Sequence, residues 1–332
     1  MTPSPPTFGA LLDDLVLSAT TVLGAHRSFS ASPPGPPPEP EGLVRSLDGA
    51  PPRIHWERRR VASGRERVPV SLPWSEEETF FDRFPASSPR ADTLLVYHHG
   101  LGETPHALVP RLLRLSRTLR ERCDVIAIKG PHHMRFRDVG TKLTRDFPSF
   151  VRCLAASAAL VGEIAAQSRG RYLHRAVCGV SMGGVIALLE ASHRSRYDLY
   201  VPFVAGPDLR DVVLRSSFAR TIQGRWLREA RRASWIEVLD LSARLRGASG
   251  SPLRPLLARS DRLFRWEAQR SAYARVPRAR VTQTPGGHLS GVARIHLLAR
   301  HLLSCLEAEC WKAHGNGPSG LARPTPHLAA SG

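Results

Sequence analysis

From Asp92 to Gly287 the chain alternates two kinds of segment. Short apolar runs closed by a glycine or a polar turn, "DTLLVYHHG", "DVIAIKG", "HRAVCGVS", "LYVPFVAG", "LRPLLARS" and "ARVTQTPGG", are spaced by stretches of helical length and pattern such as "HALVPRLLRLSRTLRERC" and "SFVRCLAASAALVGEIAAQSRG". Continuous apolar runs of this kind suit strands buried on both faces, and helix-length spacers between them make the connections crossovers. The pattern predicts an α/β fold with a mostly parallel sheet covered by helices. Ahead of it, "RIHWERRRVAS" and "RERVPVSLPW", parted by Gly64, read as an antiparallel hairpin, and "VARIHLLARHLLSCLEAECW" closes the pattern as an amphipathic helix.

The flanks differ in composition. Residues 1–50 hold a short candidate helix, "FGALLDDLVLSATTVLGAHR", and then "ASPPGPPPEPEG", whose proline density favours an extended linker. Residues 51–311 form the expected catalytic domain, and 312–332, rich in Gly, Pro, Ser and Ala, an expected disordered tail. Asp13 and Asp14 sit in the first apolar segment with no basic region before it, unlike a secretory leader. No apolar run looks long enough to span a bilayer, and the five scattered cysteines lack disulfide or metal-ligand spacing, so a cytoplasmic location with reduced thiols is expected.

A formal charge of +18 raises nucleic acid or anionic membranes as partners. Lys129, Lys142 and Lys312 are the only lysines, however, and the arginines are spread along the whole chain. That distribution fits biased composition better than a phosphate track, and no nucleic-acid-binding motif accompanies it, so nucleic acid is disfavoured.

Gly179-Val180-Ser181-Met182-Gly183 fits G-x-S-x-G between an apolar strand and a helical run, "GGVIALLEASHR". A serine on such a corner is exposed at the carboxyl end of a central strand, where open α/β sheets carry their sites. Its hydroxyl becomes nucleophilic only when a base takes the proton and a carboxylate orients that base. His288 in "TPGGHLSG" fits the base, in a loop that its glycines leave mobile and exposed, and Asp261 in "LLARSDRLF" fits the acid about one βα unit earlier. Asp208 and Asp211 are alternative acids, and His132 and His133 in "KGPHHMRFR" are candidate pocket-lining residues.

The order Ser181, Asp261, His288 together with the elbow resembles the α/β-hydrolase superfamily over roughly residues 53–311. The resemblance implies an α/β-hydrolase fold: a mostly parallel sheet of about eight strands, helices on both faces and a small helical cap. It further implies Ser181 as nucleophile, Asp261 as orienting acid, His288 as general base, and an oxyanion hole made by the backbone N–H groups of Leu101, in His98-His99-Gly100-Leu101-Gly102, and Met182. The His98 and His99 side chains are expected to pack the loop, and no H-G-G-G run of the hormone-sensitive-lipase branch is present. The chemistry calls for no cofactor and no metal.

About forty residues more than a simple connection needs lie between "VAG" and "LRPLLARS", so the cap is expected at about 208–251. Leu214, Phe218, Ile222 and Trp226 fall at four-residue spacing as one helical stripe, flanked by Arg215, Arg220, Arg225, Arg228, Arg231 and Arg232. The expected activity is hydrolysis of a carboxylic ester, of a small molecule or a lipid, through an acyl-enzyme. A lipid acyl hydrolase or thioesterase meeting an anionic substrate or membrane surface is the alternative within enzymology, and a catalytically silent scaffold the alternative outside it.

Overall fold

The computed structural model describes residues 28–30, 60–61, 65–72, 75–89, 91–103, 108–135, 138–193, 195–248 and 250–312. The candidate helix at 8–27, the proline-rich stretch and 313–332 lie outside the described residues. So does most of the first half of the expected hairpin.

Among the described residues nine strands make one open sheet: β1 (Arg60–Val61), β2 (Arg65–Leu72), β3 (Ser75–Phe84), β4 (Thr93–His98), β5 (Cys123–Lys129), β6 (His174–Val180), β7 (Leu199–Phe203), β8 (Leu256–Ala258) and β9 (Thr282–Thr284). Their order is β1-β2-β3-β5-β4-β6-β7-β8-β9. β1 to β3 are antiparallel, β3 runs antiparallel to β5, and every pair from β5 onward is parallel. All residues of β4 and β7 are buried, as strands covered on both faces require.

The helices are α1 (Leu108–Leu115), α2 (Arg117–Arg122), α3 (Phe147–Gln167), α4 (Met182–His193), α5 (Leu209–Arg215), α6 (Gly224–Ala230), α7 (Ser242–Gly247), α8 (Trp266–Ala274), α9 (His288–Ala293) and α10 (Ile295–Leu306). One core cluster joins α3, α4 and the segment after β7 on one face of the sheet; a second joins α1 and α10 on the other. All five cysteines are buried and free.

Several expectations are corrected. The expected hairpin is present in its described part, with Arg60 opposite Glu66 and Val61 opposite Arg65. But β2 also pairs along its length with β3, "SEEETFFDRF", a strand not expected from the sequence, with Leu72 opposite Ser75 and Arg65 opposite Asp82. Its three glutamates hide an alternation in which Glu77, Thr79 and Phe81 are buried while Glu76 and Glu78 are exposed. Buried Glu77 is held by Arg152 at 3.3 Å and by the Ser75 hydroxyl at 3.1 Å. The single helix expected across 106–123 is two, because Ser116 turns extended and its hydroxyl caps α2 by accepting the Leu119 N–H. By length and composition α3 could cross a membrane, contrary to expectation, but 72% of its most apolar window is buried in the fold.

The segment between β7 and β8 is also not built on one helix. It runs through α5, a 3₁₀ turn (Ser217–Thr221), α6, a second 3₁₀ turn (Ser234–Leu239) and α7. Ser216 makes the break, its hydroxyl donating to the Val212 carbonyl at 2.5 Å and accepting the Phe218 N–H at 3.0 Å. Leu214, Ile222 and Trp226 are buried and Phe218 partly so, but they come from three pieces.

Nor do residues 1–50 stand wholly apart. The Ser28 N–H bonds the Thr221 carbonyl and the Gln223 N–H bonds the Ser28 carbonyl, each at 2.9 Å, while the Phe29 N–H reaches the Thr144 carbonyl at 2.7 Å. The buried Phe29 ring lies 4.9 Å from that of Trp226 and 5.3 Å from that of Phe147, centroid to centroid.

Candidate active site

Ser181 follows β6 directly and has φ = 54°, a left-handed conformation that a non-glycine residue adopts at a cost. The corner is locked from both sides. The Ser181 N–H bonds the Phe203 carbonyl of β7 at 2.8 Å, and the Ser181 carbonyl accepts the Val185 N–H at 3.1 Å in the first turn of α4. Only glycine fits on either side: a Cβ on Gly179 would stand 2.3 Å from the Gly183 carbonyl carbon, and one on Gly183 2.1 Å from the His98 carbonyl oxygen. The chain thus folds back on itself at the elbow and brings the loop after β4 against it.

Asp261 and His288 arrive from neighbouring strands. β8 and β9 are parallel, with Ala258 opposite Thr284, and their continuations stay joined through Arg259 N–H to Thr284 O at 2.9 Å and Ser260 N–H to Gly286 O at 2.8 Å. The loop after β8 carries Asp261, and the turn after β9 carries His288. His288 Nδ1 is 2.8 Å from Asp261 Oδ2, and His288 Nε2 is 2.9 Å from Ser181 Oγ. With the carboxylate as acceptor, Nδ1 holds the proton and Nε2 is left to accept the serine hydroxyl. Asp261 and His288 are buried, and Ser181 is the more open of the three.

His288 departs from the expected mobile, exposed loop. It is the first residue of α9, fixed where Ser290 Oγ accepts the Gly287 N–H at 2.9 Å. The ring of Phe264 stacks on its imidazole at 5.7 Å with an interplanar angle of 20°. Asp261 Oδ1 accepts the N–H groups of Leu263 and Phe264 at 2.7 and 2.8 Å, so this carboxylate holds its own loop as well as the histidine. Sequence reasoning missed Phe264; the available signal was an aspartate able to form an Asx turn two and three residues ahead of it.

The alternative acids lie elsewhere. Asp208 caps α5 by accepting the Asp211 N–H at 3.0 Å, and Asp211 takes the guanidinium of Arg265. His132 lies 3.8 Å from Glu77, and burial lowers its pKa. His133 is buried behind Gly130, its Nδ1 bonded to the Pro131 carbonyl at 2.9 Å, and desolvation pushes its pKa down to about 4. No group of three or more His, Cys, Asp or Glu residues suited to a metal occurs among the described residues.

In the loop after β4, Gly100 is pressed on the elbow: a Cβ there would meet the Val180 carbonyl oxygen at 3.3 Å and Ser181 Cβ at 3.5 Å. Leu101 follows it, half-buried, and Met182 is the first, buried residue of α4. Glu103, also missed from sequence, ties the loop down by accepting the Tyr97 hydroxyl at 2.5 Å and the Leu108 N–H at 3.1 Å. Trp266 packs as expected, buried beneath the Arg259 guanidinium at 5.2 Å.

No protein-family model matches the sequence, and no curated protein matches it. Solved structures do. The acylaminoacyl peptidase of Pyrococcus horikoshii is similar with a TM-score of 0.53 and 9% identity over 78% of this chain and 43% of the peptidase, so the chain spans less than half of that protein. Acetyl xylan esterase 1 of Thermoanaerobacterium sp. is similar with a TM-score of 0.52 and 14% identity over 84% of this chain and 98% of the esterase.

Proposed function

The chain has the α/β-hydrolase fold shared by that peptidase and that esterase, and on this premise we propose that it is a serine hydrolase cleaving a carboxylic ester through an acyl-enzyme. The observation that carries the proposal is the continuous relay from Ser181 Oγ to His288 to Asp261 on a strained elbow. A structural turn has no use for a base at hydrogen-bond distance, nor for a carboxylate behind it.

In this reaction His288 Nε2 takes the Ser181 proton as Oγ adds to the substrate carbonyl carbon. Asp261 holds the tautomer and stabilises the imidazolium that forms. The carbonyl oxygen becomes an anion and meets the N–H groups of Leu101 and Met182, each such donor contributing about 3 kcal/mol to the transition state. Collapse expels the alcohol, which takes the proton back from His288. Water, deprotonated by the same imidazole, then releases the acid and restores Ser181.

Labelling with a fluorophosphonate probe tests the proposal. The wild-type protein should be labelled and should hydrolyse a short-chain nitrophenyl ester, while Ser181→Ala should lose the label and several orders of magnitude in turnover. Equal labelling of both would overturn it. A second reading, a lipid or otherwise anionic ester substrate, is favoured by the exposed Arg215, Arg220, Arg225 and Arg228 after β7.

A further inference from the structure

We propose that His99 is the positioning residue of the oxyanion hole, fixing the Gly100–Leu101 peptide so that the Leu101 N–H faces the reacting oxygen. The inference rests on the hydrolase reading above and gives direction to a side chain that sequence alone marks as packing.

A peptide unit is planar and trans, so its C=O and N–H point in opposite directions. Whatever holds the Gly100 carbonyl therefore aims the Leu101 N–H. Two donors hold that carbonyl, His99 Nδ1 at 2.8 Å and the Glu103 N–H at 3.1 Å. On its other side the ring takes a second role: His99 Nε2 accepts the Gly130 N–H at 3.0 Å. Donating from Nδ1 and accepting at Nε2 selects the neutral Nδ1–H imidazole. A protonated ring would set Nε2–H against the Gly130 N–H.

The ring thereby ties the loop after β4 to the loop after β5, with Gly100 pressed against Ser181. It has little room to turn. His99 is 1% exposed, and its ring lies 4.7 Å from that of His98 and 4.4 Å from that of His133. An oxyanion donor acts through being held before the charge develops, and the His99 bond holds this one from a single atom away.

The two ring nitrogens can be replaced separately. Asparagine places an amide N–H near the position of Nδ1, while glutamine places an amide oxygen near Nε2 and leaves the Gly100 carbonyl without its side-chain donor. His99→Asn should therefore keep kcat on a nitrophenyl ester within about fivefold, whereas His99→Gln should lose about 100-fold in kcat with KM nearly unchanged, the loss typical of one oxyanion donor. Turnover is normalised to sites counted by fluorophosphonate labelling. Affinity for a trifluoromethyl ketone, whose tetrahedral adduct puts an oxyanion in the hole, should fall in parallel for the glutamine variant only.

Equal losses in the two variants, a loss confined to KM, or a glutamine variant that no longer labels would each overturn the proposal by leaving His99 a packing or folding residue. A wild-type protein that neither labels nor turns over would instead remove the hydrolase reading itself.

Discussion

Asp261 uses both carboxylate oxygens, one on His288 Nδ1 and one on two backbone amides of its own loop. Asp261→Asn should therefore lower turnover by roughly 10⁴, the cost of the wrong histidine tautomer in a well-studied triad. Asp208→Asn should cost little, since asparagine caps a helix as well as aspartate does; esterase assays of the two variants decide between the acids. His133 carries the clearest pH signature. Its folded pKa of about 4 lies below the ordinary 6.5, so between those values the unfolded chain binds a proton that the folded one does not. Acidification through that window should cost up to about 3 kcal/mol at this residue, and His133→Asn, which retains a donor for Pro131, should flatten the fall in stability measured by denaturation at pH 7 and pH 4.5. Ser181, Asp261 and His288 were legible in the sequence because each sits at a turn whose glycines and polar residues interrupt an apolar run. Phe264 and Glu103 were not, because their roles depend on proximity in space.

Inner parallel strands such as β4 and β7 were readable as elements because burial on both faces leaves one continuous apolar run, whereas β9, Thr282–Thr284, is polar and largely exposed. β3 was not readable: it lies near the sheet edge, and its buried Glu77 depends on Arg152 from α3, a partner about seventy residues away. The segmented stretch between β7 and β8 escaped periodicity for a local reason, since a serine hydroxyl that satisfies backbone groups at Val212 and Phe218 competes with helix continuation at little cost in apolar burial. Entry into that segment is fixed by Gln269 of α8, fully buried, which accepts the Asp208 N–H at 3.1 Å and donates to the Asp208 carbonyl at 3.0 Å. Gln269→Leu strands both groups without water and should destabilise the protein by about 2–4 kcal/mol in chemical denaturation.

Across the whole molecule the arginines pose one question and the chain's path another. If Arg215, Arg220, Arg225 and Arg228 gather anionic substrate, replacing all four by glutamine should reduce turnover on anionic vesicles while sparing a small neutral ester. The wild-type preference should then fade as salt rises and the Debye length shrinks from about 10 Å at 0.1 M to about 3 Å at 1 M. Equal turnover of wild type and variant on both substrates at low salt would leave these arginines a solvated face. The path of the chain sets a schedule as well as a shape. Phe29 packs on Trp226, a residue translated nearly two hundred positions after it. At 5–20 residues per second that interval is roughly 10–40 s, and until the segment after β7 is made the Phe29 ring has only Phe147 and Phe150 of its described aromatic partners. The clasp that Ser28 forms with Thr221 and Gln223 is accordingly a late event of synthesis, completed only after the elbow, α4 and the first turns beyond β7 have been translated.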